Sequence, residues 1–301
     1  MGNEIEIKKK NRLIFIDVLR GVAVLWMIET HVVDVCLWHD FKQGFFYNML
    51  NISNGFVAVT FLFCAGAGFW LAAEKKTWDF KHFKAPLWVY LRRLGFILIL
   101  AFYMHLPVFS FSKLFAMTPA QMAIFFQNDI LQTIVYSSFI ALIFLMLSPK
   151  NIIFKYLSIV LALFFILLAP YIYYINPFEK LPYIMAFWVS FPPVSKFPLF
   201  PWAGYFFAGV ALTAFFMDSK NRDKFAKIVF ITSIILPVLI LLSRDTNIAF
   251  FNMEQWWKIS PFHTLFRICG STFGFSGLFL LEKYFNEKKY INFLVISGRE
   301  S

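Results

Sequence analysis

LIFIDVLRGVAVLWMIETHVVDVCLW, residues 13–38, decides the fold. The run is longer than the roughly 20 mostly apolar residues that cross a bilayer, and Lys8-Lys9-Lys10-Asn11-Arg12 precedes it. A secretory signal has an apolar core of only roughly 7 to 15 residues, so the stretch reads as a helix that stays in the membrane. It also carries Asp17, Arg20, Glu29, His31 and Asp34, and an ionisable group at mid-membrane costs about 3 kcal/mol or more unless it faces protein or performs a function.

The same apolar pattern recurs along the chain. Further spans are expected at Gly55 to Ala73, Val89 to Phe109, Asp129 to Leu147, Ile152 to Tyr174, Pro198 to Met217, Phe225 to Leu242 and Phe262 to Tyr284. Of the 301 residues 60% are hydrophobic and 21% aromatic, with 42 Phe, more hydrocarbon than a water-soluble fold can hide. The expected fold is an all-α, polytopic transmembrane helix bundle of about eight spans in the cell membrane. Residues 1–12 form a cytoplasmic basic N-terminus, 13–285 the bundle, and 286–301 a cytoplasmic segment that leads toward a further span absent from the chain.

Positive residues accumulate on the cytoplasmic side of membrane proteins, and here they alternate between connections. Lys8, Lys9, Lys10 and Arg12, six from Lys75 to Arg93, Lys150 and Lys155, four from Lys220 to Lys227, and Lys283, Lys288, Lys289 and Arg299 fall on one side. The other side holds Lys42, Lys113, Lys180, Lys196, Arg244 and Lys258, while Arg20 and Arg267 lie within spans. Both ends of the chain are therefore expected in the cytoplasm. The net charge of +11 follows from this distribution and does not point to nucleic acid.

At 100° per residue Asp17, Arg20, His31 and Asp34 share a stripe about 100° wide on the first helix. Asp17 and Arg20, three apart, form either a structural pair near the cytoplasmic boundary or part of a functional face. His31 stands roughly 27 Å along the helix from Leu13, with Asp34 one turn on and positioned to orient it. A histidine held by a carboxylate is the usual arrangement of a general base. His39, His105 and His263 also map to outer ends of spans, near Asn128, Asp129, Gln132 and Arg267. His263 and Arg267 share a face with Gly270 and Gly274, a pattern that reads first as close helix packing.

Cys36, Cys64 and Cys269 lie in apolar segments without metal-ligand spacing, and no metal site is expected. The basic loop from Glu74 to Arg93 suits anionic lipid head groups or the phosphates of a nucleotide-like donor. The segment Ile175 to Phe197, rich in Pro and aromatics, suits an ordered interfacial lid.

The opening Arg12-Leu13-Ile14-Phe15-Ile16-Asp17-Val18-Leu19-Arg20-Gly21, with Met27 and His31 after it, resembles the start of the heparan-α-glucosaminide N-acetyltransferase-like family, one branch of the membrane acyltransferases. FLFCAGAG (Phe61–Gly68), NDILQ (Asn128–Gln132), FPLFPWAG (Phe197–Gly204) and SGRES (Ser297–Ser301) follow in the family's order. The resemblance implies transfer of an acyl group, acetyl first, from cytoplasmic acetyl-CoA to a hydroxyl or amine of a sugar at the outer face. It implies His31 as base or transient acyl carrier with Asp34 orienting it. His39 is the rival, because animal members place their active histidine in the first outer loop. Asp17, Arg20 and Arg267 would anchor the donor or shape a channel, and Asn128, Gln132, Trp202 and His263 would line an acceptor cavity. Family members continue into a further span where this chain stops.

A transporter or flippase for a polar or lipid-linked solute would also need buried charge and outer aromatics, although no internal repeat is visible. A non-catalytic scaffold is the third class. Expected partners are membrane lipid, a glycan acceptor and a second copy in a homodimer, with no nucleic acid.

Overall fold

A computed structural model describes residues 13–107, 111–192, 194–244, 253–285 and 289–300. All regular structure among them is helical. The long elements are α1 (Ile14–Cys36), α2 (Gly44–Asn54), α3 (Val57–Ala73), α4 (Ala85–Met104), α5 (Ile130–Leu147), α6 (Asn151–Leu167), α7 (Leu199–Asp218), α8 (Arg222–Leu242), α9 (Pro261–Leu281) and α10 (Lys289–Glu300). Seven segments are long and apolar enough to cross a membrane: Gly44–Lys81, Ala85–Met104, Ile130–Leu147, Asn151–Ile175, Leu199–Asp218, Arg222–Leu242 and Pro261–Leu281. The remaining expected span is α1, 23 residues long, whose charged residues set it apart by composition. The last span ends at Leu281, three residues before the expected limit of Tyr284.

Local chemistry sets the helix starts. Asp129 and Gln132 form a reciprocal capping box that opens α5, so two of the otherwise unpaired first-turn N–H groups are satisfied. Asn221 accepts from the Lys224 N–H at the start of α8, and Pro261 stands in the first turn of α9, where a missing N–H costs nothing. Leu13 gives α1 no side-chain cap. The Glu282 carboxylate, from the turn after α9, accepts from the Ile14 and Phe15 backbone instead, and its charge suits the positive end of the helix dipole.

α7 is the most buried span, packed against α3 and α6, whereas α4 and α8 are peripheral. The α3–α7 crossing is reciprocal: a β-carbon on Gly66 would strike the Phe206 carbonyl, and one on Gly209 would strike the Phe63 carbonyl. Lipid tails are as apolar as the side chains, so helices in a membrane associate through close packing of this kind together with interhelical hydrogen bonds. Below this crossing Phe15, Phe216, Phe275 and Phe279 meet edge to face, with centroids 4.8 to 5.7 Å apart. Outward, Phe96, Ile99, Leu163, Ile231 and Leu242 are exposed, as lipid contact requires and water would penalise.

α1 is buried only over Phe15–Ala23, and none of its later residues is buried. α10 packs along that first half, where β-carbons on Gly21 and Gly298 would strike the Leu294 and Asp17 carbonyls. The predicted cytoplasmic end is also tied elsewhere. Buried Lys155 pairs with Asp218 at 2.5 Å, Asn151 donates to the Glu74 carbonyl at 3.2 Å, and Lys81 donates to the Ser148 carbonyl.

Candidate functional site

At the opposite end, the one predicted to face outward, the outer half of α1, the end of α2 and the first turns of α9 enclose a cavity of about 520 Å³. Thr30, Asn51, Asn54, Gly55, Trp257, His263 and Arg267 contribute to its lining. Asn54 is placed by the Trp26 indole N–H, which donates to its Oδ1 at 3.2 Å. The chain breaks between α2 and α3 at Gly55 and Phe56, and a β-carbon on Gly55 would stand 3.2 Å from Arg267 Nη2. The glycine therefore makes room for the guanidinium.

His263 is 2% exposed. The rings of Trp256 and Trp257 lie 4.7 Å away, centroid to centroid, and Phe266 stacks at 6.3 Å. The imidazole donates to the Trp257 backbone carbonyl, while its Nε2 has no hydrogen-bond partner. Packed rings thus fix its orientation and leave Nε2 buried without a partner, an unpaired polar atom of a kind that is rare in protein interiors. Arg267, four residues on, stands 5.9 Å over the Trp202 ring and lies close to the Tyr205 hydroxyl. No carboxylate pairs with it among the described residues. His263, Arg267 and Trp257 also wall a second cavity of about 190 Å³, lined further by Lys196, Trp202, Tyr205, Lys258 and Thr264.

The expected site residues whose side chains are described divide among four places. Trp202, His263 and Arg267 meet at these cavities. Asp17 and Arg20 sit on the first half of α1, about 15 to 20 Å of helix rise from Thr30, so they do not share a site with Arg267. His31 and Asp34 are exposed on the outer half of α1. The Asp34 carboxylate lies 3.6 Å from Lys42 Nζ, and Lys42 also donates to the Asp34 carbonyl at 2.7 Å, so Asp34 is engaged with Lys42 and does not hold His31. His39 opens the short turn His39–Phe41, and its side chain lies outside the described residues.

Asn128 and Gln132 line neither cavity. Asn128 is a buried clamp: its amide donates to the Phe197 carbonyl at 2.6 Å and to Thr133 Oγ1 at 3.0 Å. Gln132 is 3.5 Å from His105 Nδ1, and His105 Nε2 is 3.5 Å from Asp129 Oδ2. Among the described residues the histidine–carboxylate contact is therefore His105 with Asp129, across α4 and α5. Thr30, Asn51, Asn54 and Trp257 went unforeseen. Asn51 and Asn54, three apart beside an apolar span, were the available signal.

A cavity of about 480 Å³ at the predicted cytoplasmic end is lined by Asp223, Lys227, Phe279, Leu280 and Glu282. Two carboxylates against one lysine suit an anionic donor poorly. Lys84 lies 3.7 Å over the Trp78 ring, and Lys81 is bound to carbonyls, so part of the basic loop is occupied with its own structure. Among the described residues no cluster of His, Cys, Asp and Glu is arranged to hold a metal ion.

The family model of the heparan-alpha-glucosaminide N-acetyltransferase catalytic domain matches residues 12–255. The chain belongs to this family. Among curated proteins and solved structures nothing matches. Family membership marks the chain as a multi-pass membrane acetyltransferase by class. His31, Asp34, His39, Asn128, Gln132 and Trp202 fall within the matched residues, whereas His263 and Arg267 follow directly after them.

Proposed function

We propose that the chain transfers an acetyl group from cytoplasmic acetyl-CoA to a hydroxyl or amine of a sugar at the outer face of the cell membrane. The observation that carries this reading is the polar cavity beside His263 and Arg267, in a bundle that belongs to an acetyltransferase family. In the reaction the acceptor O–H or N–H gives its proton to a base, the acceptor atom bonds to the acyl carbon, and the thioester C–S bond breaks. The proton ends on the CoA thiol. A base held within hydrogen-bond reach contributes about 10² to 10⁴ in rate.

Three histidines compete for that role. His31 and His39 lie within the family match, and either would serve as base or as acyl carrier across the bilayer. His263 has the fixed ring and a buried Nε2 without a partner, in the wall of the polar cavity.

Sealed vesicles supplied with labelled acetyl-CoA on the cytoplasmic side test the reading, with His31→Ala, His39→Ala and His263→Ala as comparisons. Label should reach outer-face glycan, and substitution of the acting histidine should lower the rate by about 10² or more while membrane insertion and the size-exclusion profile stay unchanged. Absence of transfer across varied donors and acceptors would favour a transporter for a polar or lipid-linked solute.

A further inference from the structure

Directly below the polar cavity lies a larger one of about 700 Å³, bounded by α1, α2, α8 and α9. Its lining is almost wholly apolar, with Val22, Trp26, Met49 and Phe230 among its walls and Gly270, Gly274 and Gly277 along its floor. A β-carbon on Gly270 would strike the Phe56 ring, and one on Gly274 would reach 3.0 Å from Leu19 Cδ1, so the glycines let the walls of the groove close against α9. From Gly270 to Leu281 it follows α9 for about 16 Å, close to half of a hydrocarbon core roughly 30 Å thick.

Ile52 and Phe56 line both the groove and the polar cavity, so the two form one surface, apolar in its depth and polar at its outer end. The polar end is also positively charged. Arg267, Lys196 and Lys258 line the two outer cavities, and among the described residues no carboxylate does. The guanidinium fork matches phosphate oxygens, and His263, whose buried Nε2 has no partner, is among the residues lining the same cavity.

Resting on the acyltransferase reading, we infer that the sugar acceptor is carried on a lipid phosphate, whose hydrocarbon chain lies in the α1–α9 groove and whose phosphate meets Arg267. The lipid then fixes the sugar beside the histidine, and the acceptor reaches the site by lateral diffusion in the membrane. A soluble glycan would leave the groove without a role.

The probe is a diazirine-bearing isoprenyl phosphate, compared with the alcohol of the same chain, on purified protein in nanodiscs. Photolabel should fall in the peptides spanning residues 49–60 and 266–281 and be displaced by unlabelled phosphate but not by the alcohol. Arg267→Gln should lower labelling about tenfold or more, because a charge-assisted hydrogen bond is lost, with Arg267→Lys restoring part of it. Val22→Trp and Ser53→Trp, which fill the groove, should do the same while melting temperature and size-exclusion profile confirm folding. Equal labelling by phosphate and alcohol, label spread over all lipid-facing helices, or crosslinking of Ser53→Cys to a second copy would overturn the inference. Acyl transfer to a water-soluble glycan at a rate unaffected by Val22→Trp would overturn it and leave the acyltransferase standing. Phosphate-specific labelling without any transfer would keep the lipid site and remove the acyltransferase.

Discussion

Glu282 serves α1 from outside its own helix, by accepting from the Ile14 and Phe15 N–H groups. Burial is the larger influence and raises its carboxyl above the ordinary value of 4.5, while the two backbone donors oppose it. The folded state then binds the Glu282 proton more tightly than the unfolded chain does. The associated stability is fully present below pH 4.5 and is lost as pH rises through the folded-state value. Thermal melts of Glu282→Gln and the unaltered protein across acid to neutral pH should show the difference, variant minus parent, growing as pH rises. A difference that does not change with pH would mean that Glu282 titrates alike in both states.

The residue scale is also where sequence reading reached least. His263 and Arg267 are visible as an i, i+4 pair, but periodicity alone assigns them to helix packing. Their chemistry comes from Asn51, Asn54 and Trp257, brought in from α2 and from the helix Met253–Ile259. The Asp34 carboxylate shows the converse. Helical spacing puts it near His31, yet Lys42, beyond the end of α1, lies beside it, and no one-helix pattern contains that contact.

Among the elements, the spans were legible because a bilayer demands long, nearly uncharged runs, and each expected span corresponds to a helix or a helical run. α2 was not foreseen as a separate helix. Gly44–Asn54 mixes Asn and Ser with Phe and Met, which leaves its hydropathy short of a span. The crossing of α3 and α7 was equally hidden, since FLFCAGAG does not say which carbonyl each glycine meets. Gly209→Val should destabilise the bundle by about 3 kcal/mol or more, since the added carbons meet backbone that cannot rotate away. Gly68→Ala is the control, because nothing lies within 4 Å of its new β-carbon. Unfolding midpoints in detergent measure both, and equal midpoints would mean that the helices can separate without loss.

For the whole molecule, the alternation of Lys and Arg predicts both chain ends in the cytoplasm, and a native thiol can test it. Cys36 is exposed at the outer end of α1, whereas Cys64 and Cys269 are buried. A membrane-impermeant maleimide applied to intact cells should label the protein once, and Cys36→Ser should abolish the label. Labelling only after lysis would invert the topology. The Cys36 position is informative because it shares the outer half of α1 with His31.

That half of α1 has the form of a cantilever, propped where the Trp26 indole meets Asn54. The beam is built in at Phe15–Ala23, where α10 and the phenylalanine cluster grip it, and beyond Ala23 no residue is buried. His31 stands about 12 Å past the support. A rotation of about 10° at the base would therefore sweep the histidine about 2 Å sideways, more than the roughly 0.5 Å range that separates a short hydrogen bond from a long one.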